Sequence, residues 1–153
     1  MAYESLLDEI HKEGIDIIQI NFKGKSKGLY GDNTIAIDKK IDTSAEKKCI
    51  LTEELGHHYT SYGNILDQSN INNIKQEKRA RNWAYEKLVG IISLVNAFER
   101  GIRNKYELAE YLNITEDFLN EAINHYREKY GIYCEIDNYL VYFEPHFGVL
   151  KIF

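Results

Sequence analysis

The chain has 153 residues, 44% of them hydrophobic, and a formal net charge of −5. That length suits one compact domain with a real core, so residues 1–153 are expected to form a single domain. No run of about twenty apolar residues exists to span a bilayer, and the N-terminus lacks a basic start followed by an apolar stretch, so a soluble, cytoplasmic protein with no membrane partner is expected.

In chain order, Tyr3 to Glu13 carries Leu6, Leu7 and Ile10 at helical spacing and ends at Gly14, which predicts a short amphipathic helix with His11 on its surface. The run from Ile15 to Phe22 is rich in β-branched residues and reads as a strand, followed by a turn with glycine and lysine and a short segment around Gly28 to Tyr30. Asn33 to Asp38 reads as a further strand. A long helix then begins near Thr43 or Ser44, with Ser44 as its cap and Glu46 in its first turn, and should end near Tyr62 and Gly63. Residues 64–73 read as a polar loop beside the cleft. From Ile74 the pattern is helical again, with Glu77, Ala80, Ala84 and Leu88 in rows near one face and a break expected at Gly90.

The chemistry concentrates in Cys49-Ile-Leu-Thr-Glu53-Glu54-Leu-Gly-His57-His58. Residues four apart on a helix stand one turn above each other and can grip one ion, as in the His-Glu-x-x-His signature. Glu53 and His57 have that spacing, and Glu54 then holds the place of the carboxylate that takes a proton from the attacking water. The shifted pair Glu54 and His58 would put Leu55 where the base belongs, so it fails on chemistry. His58 lies about 100° round the helix from His57 and is read as a supporting or packing residue. The plain alternative is the polar face of an ordinary glutamate-rich helix. A third donor is then needed from a following helix, and Gln76-Glu77-Lys78-Arg79-Ala80-Arg81-Asn82-Trp83-Ala84 offers Glu77.

Together the two segments resemble the ImmA/IrrE family of metallo-endopeptidases, in which Glu-x-x-His is paired with a downstream Glu-x-x-Ala-x-x-Phe-Ala. Glu54-Leu-Gly-His57 matches the first part, and Glu77-Lys-Arg-Ala80-Arg-Asn-Trp83-Ala84 matches the second with tryptophan for phenylalanine. The resemblance implies an α+β, zincin-like fold: a small N-terminal sheet, the active-site helix, a following helical bundle and a C-terminal β-hairpin. It implies Glu77 as the third metal ligand beside Glu53 and His57, Glu54 as the general base, and Zn2+ as the cofactor. Glu53 departs from the family's histidine, and a carboxylate there makes the site more anionic and opens it to a harder ion such as Mn2+. The resemblance also implies a protein substrate, plausibly a helix-turn-helix repressor of a mobile element, bound along the strand from Thr34 to Asp38.

Two cysteines, Cys49 and Cys134, are too few for a disulfide framework and are expected as buried thiols, with Cys49 packing rather than ligating. Residues 103–130 resemble a helix-turn-helix, with Leu108, Ala109, Leu112, Ile114, Phe118, Leu119 and Ala122 packing two helices and Thr115 capping the second. Its outer face carries Glu116, Asp117, Asn120 and Glu121 instead of basic residues, so a structural hairpin is preferred and nucleic acid is not an expected partner. Residues 132–153 are aromatic and β-rich, with turns at Asp137-Asn138 and around Pro145. There His146 is a candidate for oxyanion stabilisation. Two readings stand beside the peptidase: a non-catalytic zincin-like module that binds a regulator without cutting, and a DNA-binding regulator acting through residues 103–130.

Overall fold

A computed structural model describes residues 1–60 and 71–152. Among these, helices α1 (Tyr3–Lys12), α2 (Ser44–Thr60), α3 (Ile71–Leu88), α4 (Ile91–Glu99), α5 (Lys105–Leu112) and α6 (Glu116–Tyr130) combine with strands β1 (Asp16–Ile20), β2 (Gly28–Gly31), β3 (Thr34–Asp38), β4 (Tyr133–Ile136), β5 (Tyr139–Tyr142) and β6 (Gly148–Lys151). The fold is mixed α+β, with two small sheets. The chain divides into two compact units, residues 1–84 and 85–153.

In the first unit β3 lies between β1, to which it is parallel, and β2, to which it is antiparallel. The β2–β3 connection is a two-residue turn in which Asp32 and Asn33 both take positive φ (48° and 54°), the geometry that matches the natural twist of a hairpin. Residues 35–38 are all buried, as befits a central strand covered on both faces. Ile35 and Ile37 join Leu6 and Ile10 of α1 and Leu51 and Leu55 of α2 in one core, against which Tyr30 and Trp83 pack. Because β3 is paired on both sides, the expectation that it offers a free edge to substrate is corrected. Among the described residues, the strand beside α2 that is paired on one side only is β2.

Thr43 caps α2, its hydroxyl accepting from the Glu46 N–H at 3.2 Å, so the cap stands one residue before the expected Ser44. The expected end of this helix at Tyr62 and Gly63 lies outside the described residues. α3 starts at Ile71, three residues earlier than the apolar pattern indicates. The break at Gly90 is present: α3 ends at Leu88, and Gly90 is extended (ψ 150°) as the residue preceding α4.

In the second unit all seven hydrophobic residues assigned to the α5–α6 hairpin are buried. Thr115 caps α6 by accepting from Phe118 N–H at 3.1 Å, and Asn113 closes α5 in a left-handed conformation. Glu116, Asp117, Asn120 and Glu121 are exposed. The C-terminal segment forms the three-stranded antiparallel sheet β4-β5-β6, one strand more than the expected hairpin. Gly148 sits opposite Tyr142, and a Cβ there would overlap the Tyr142 ring, so glycine lets the ring lie across β6. Cys49 is buried as expected, but Cys134 is only half-buried, because β4 is an edge strand with one face open. Among the described residues no helix is long and apolar enough to cross a membrane.

Candidate functional site

The site in the first unit is assembled by two close approaches to α2, each made at a glycine. Gly28 of β2 faces the helix so tightly that a Cβ would stand 2.6 Å from Ile50 Cγ2 and 3.2 Å from the Glu54 carboxylate. Gly56, inside α2, would with a Cβ come 2.5 Å from the Ala80 carbonyl oxygen of α3. A glycine within a helix costs about 1 kcal/mol relative to alanine. At Gly56 it permits α3 to lie against the turn that carries His57, and Glu77 stands one turn before Ala80.

The consequence is that the two sequence segments meet. His57 Nε2–H donates to Glu77 Oε2 at 3.1 Å, with the histidine side chain only 3% exposed. Arg81, one turn on from Glu77, holds the other carboxylate oxygen at 3.3 Å. The hydrogen bond from His57 holds the Glu77 carboxyl below the usual range against the opposing effect of burial, and the His57 and Arg81 charges add to it. Glu54 lies beside this pair and is buried, and that burial pushes its pKa up to about 8. The negative charges of Glu53 and Glu77 push the same way, and Arg81 opposes them. Burial thus favours the protonated form of Glu54, while the hydrogen bond from His57 favours the ionised form of Glu77.

Glu53 is half-buried. Among the described residues no group of three or more histidine, cysteine, aspartate or glutamate side chains is gathered to hold a metal, and the contact in hand is the one between His57 and Glu77. His58 faces elsewhere. Its Nδ1 is 2.6 Å from the Tyr30 hydroxyl and its Nε2 is 3.4 Å from Glu13 Oε2, a Tyr–His–Glu chain that ties β2 and the end of α1 to α2. Tyr59 closes over this chain, its ring edge-on to His58 and tilted against Trp83. Its hydroxyl is pushed up to about 12, by burial first and by Glu13 second. His146 belongs to the second unit, where it is exposed and edge-on to Tyr142.

Sequence reasoning did not find Gly28, Gly56, Arg81 or the Tyr30–His58–Glu13 chain. A signal existed for two of them: a glycine inside a strong helical pattern usually marks a close approach, and Arg81 is spaced one turn from Glu77. No protein-family model matches the chain, and no curated protein matches it.

Proposed function

We propose that the protein is a metal-dependent endopeptidase of the ImmA/IrrE kind, acting in the cytoplasm on a protein substrate, with a helix-turn-helix repressor as the favoured target. The observation that carries this reading is the 3.1 Å contact between His57 and Glu77, residues of separate motifs, with the buried carboxyl of Glu54 beside it. An imidazole nitrogen and a carboxylate oxygen are the donor types that suit Zn2+, and Mn2+ would favour the oxygen. His57 and Glu77 would hold the ion, with Glu53, one helical turn before His57, as the third ligand the resemblance implies.

When bound, the ion supplies Lewis-acid polarisation of the scissile carbonyl and lowers the pKa of water. The chain's own groups do the remainder. Glu54, in its ionised form, accepts the proton of the attacking water on a carboxylate oxygen and passes it to the leaving amine nitrogen. Arg81 anchors Glu77, so that the oxygen facing His57 stays in place. The edge of β2 that no described strand pairs, next to Glu54, is where an extended peptide would add as a further strand.

The test is incubation of metal-loaded protein with candidate repressors and mass spectrometry of the products. Discrete fragments that vanish with Glu54→Gln, while the variant stays folded, are expected. Glu53, a carboxylate where the family has histidine, motivates a second reading, a zincin-like module that binds a regulator without cutting. That module would capture the regulator intact and retain its effect in the Glu54→Gln variant.

A further inference from the structure

We propose that the 85–153 unit contains a binding site for a small organic carboxylate carrying one aromatic ring or a short branched chain. A cavity of about 170 Å³ opens between the end of α4, the segment leading into α5, and strands β5 and β6. Leu94, Ala97, Leu108 and Val149, all buried, form its apolar floor, and Phe98 and Phe147 flank it. A dry apolar space of roughly 150 Å³ accepts a benzene-sized ring, so this volume sets the size of the apolar part of the ligand.

The polar groups are few and of one character. Arg103 is the one residue with a permanent charge in the lining, which contains no aspartate or glutamate, although the chain as a whole is acidic. Its guanidinium is fixed in advance: Nη1 donates to the carbonyls of Phe98 (2.8 Å) and Ile102 (3.1 Å), and the group lies over the Phe98 ring at 4.1 Å from the centroid. Both Nη1 hydrogens are thereby used. Nε and Nη2, the edge that grips a carboxylate with two parallel hydrogen bonds, have no partner among the described residues. Asn104, whose side-chain oxygen caps α5 by accepting from Glu107 N–H at 2.8 Å, also lines the cavity, as does His146, whose ring stands against Tyr142.

An apolar pocket with a small number of convergent polar groups is the usual form of a small-molecule site. A preorganised cation with its bidentate edge free selects a carboxylate over a neutral isostere, because the neutral group returns only part of the hydrogen bonding. Gly148 contributes by letting the Tyr142 ring lie across β6 as a wall. The inference is independent of the chemistry in the first unit.

The full chain, labelled with 15N, is titrated with phenylacetate, with neutral phenylacetamide, and with acetate, which has the charge but not the ring. Saturable shifts confined to residues 94–104 and 142–149 are expected with phenylacetate, and both controls should bind at least about tenfold more weakly. Arg103→Gln should abolish the preference of phenylacetate over phenylacetamide, and Ala97→Leu, which fills the floor, should abolish binding while the remaining spectrum is unchanged. Shifts that never saturate, equal binding of phenylacetate and phenylacetamide, or wild-type binding by a folded Ala97→Leu variant would overturn the proposal. The comparison of the three ligands on the wild type stands whether or not either variant folds.

Discussion

The two units bury different chemistry. Asp38, Lys48, Thr52, Glu54, His57 and Asn73, the buried polar residues among those described, all lie in residues 1–84, whereas the buried side chains described in residues 85–153 are apolar or aromatic. In the second unit the Tyr126 hydroxyl is satisfied by the Val89 carbonyl at 2.7 Å, and polar partners gather at the partly exposed Glu86, with His125 at 2.8 Å and Lys129 at 3.0 Å. Taking an ionisable group out of water is unfavourable unless it is paired or loses its charge. Both remedies appear in the first unit: Lys48 donates to the Met1 carbonyl at 2.7 Å while burial lowers its pKa, and Glu54 keeps its proton. Among the described residues, the buried ionisable side chains are thus concentrated in the first unit.

The largest effect should come from Glu54. If it carries the proton in peptide hydrolysis, Glu54→Gln should lower cleavage by roughly 10²–10⁴-fold, measured by fragment release. Below about pH 4.5 stability should change little, since there the amide replaces a carboxyl that is neutral in the folded and the unfolded chain alike.

The same residue predicts an unusual pH dependence of folding in the metal-free protein. Its folded pKa is about 8 against an ordinary 4.5, so between those values the native state binds a proton that the unfolded chain does not. Stability from this group is full below about pH 4.5 and is lost as pH rises to about 8, a fall of at most roughly 5 kcal/mol. Glu77 acts in the opposite sense, its contribution being lost as pH falls through its lowered pKa. Denaturant melts of chelated wild type should weaken between pH 5 and 8, and Glu54→Gln should flatten that slope.

Smaller effects sharpen the contrast. Gly56→Ala gains helix propensity but drives a Cβ against the Ala80 carbonyl, and should destabilise by about 1–3 kcal/mol while separating His57 from Glu77. Thr115→Ala, which removes the cap of α6, should cost about 1 kcal/mol in thermal melts without altering the pH slope. In the second unit, burial would raise the Glu86 carboxyl, but the hydrogen bonds from His125 and Lys129 outweigh it and hold its pKa down. Glu86→Gln should still cost only about 0.2–1 kcal/mol, because exposed ion pairs are screened by solvent.

How far these features were legible follows from the range of the interactions that create them. The α5–α6 hairpin could be read because seven apolar residues recur at helical spacing and Thr115 is a local cap. Glu54, His57 and Glu77 stood out because each belongs to a short pattern. The central position of β3 was not legible, since residues 15–22 and 33–38 read as strands, residues 28–30 only as a short segment, and only the pairing decides which of them is central. Local sequence also placed Glu53 one turn from His57 but not how the neighbouring helix would meet that turn. Gly56 looks like a flaw in a helix until the Ala80 carbonyl is beside it.

The most direct measurement is metal content by elemental analysis of purified protein after reconstitution with zinc or manganese, compared with His57→Ala and Glu77→Ala. One ion per chain, lost in both variants, is the predicted result. No retained ion in the wild type, or an ion kept by both variants, would contradict the assignment of His57 and Glu77 as a metal-holding pair.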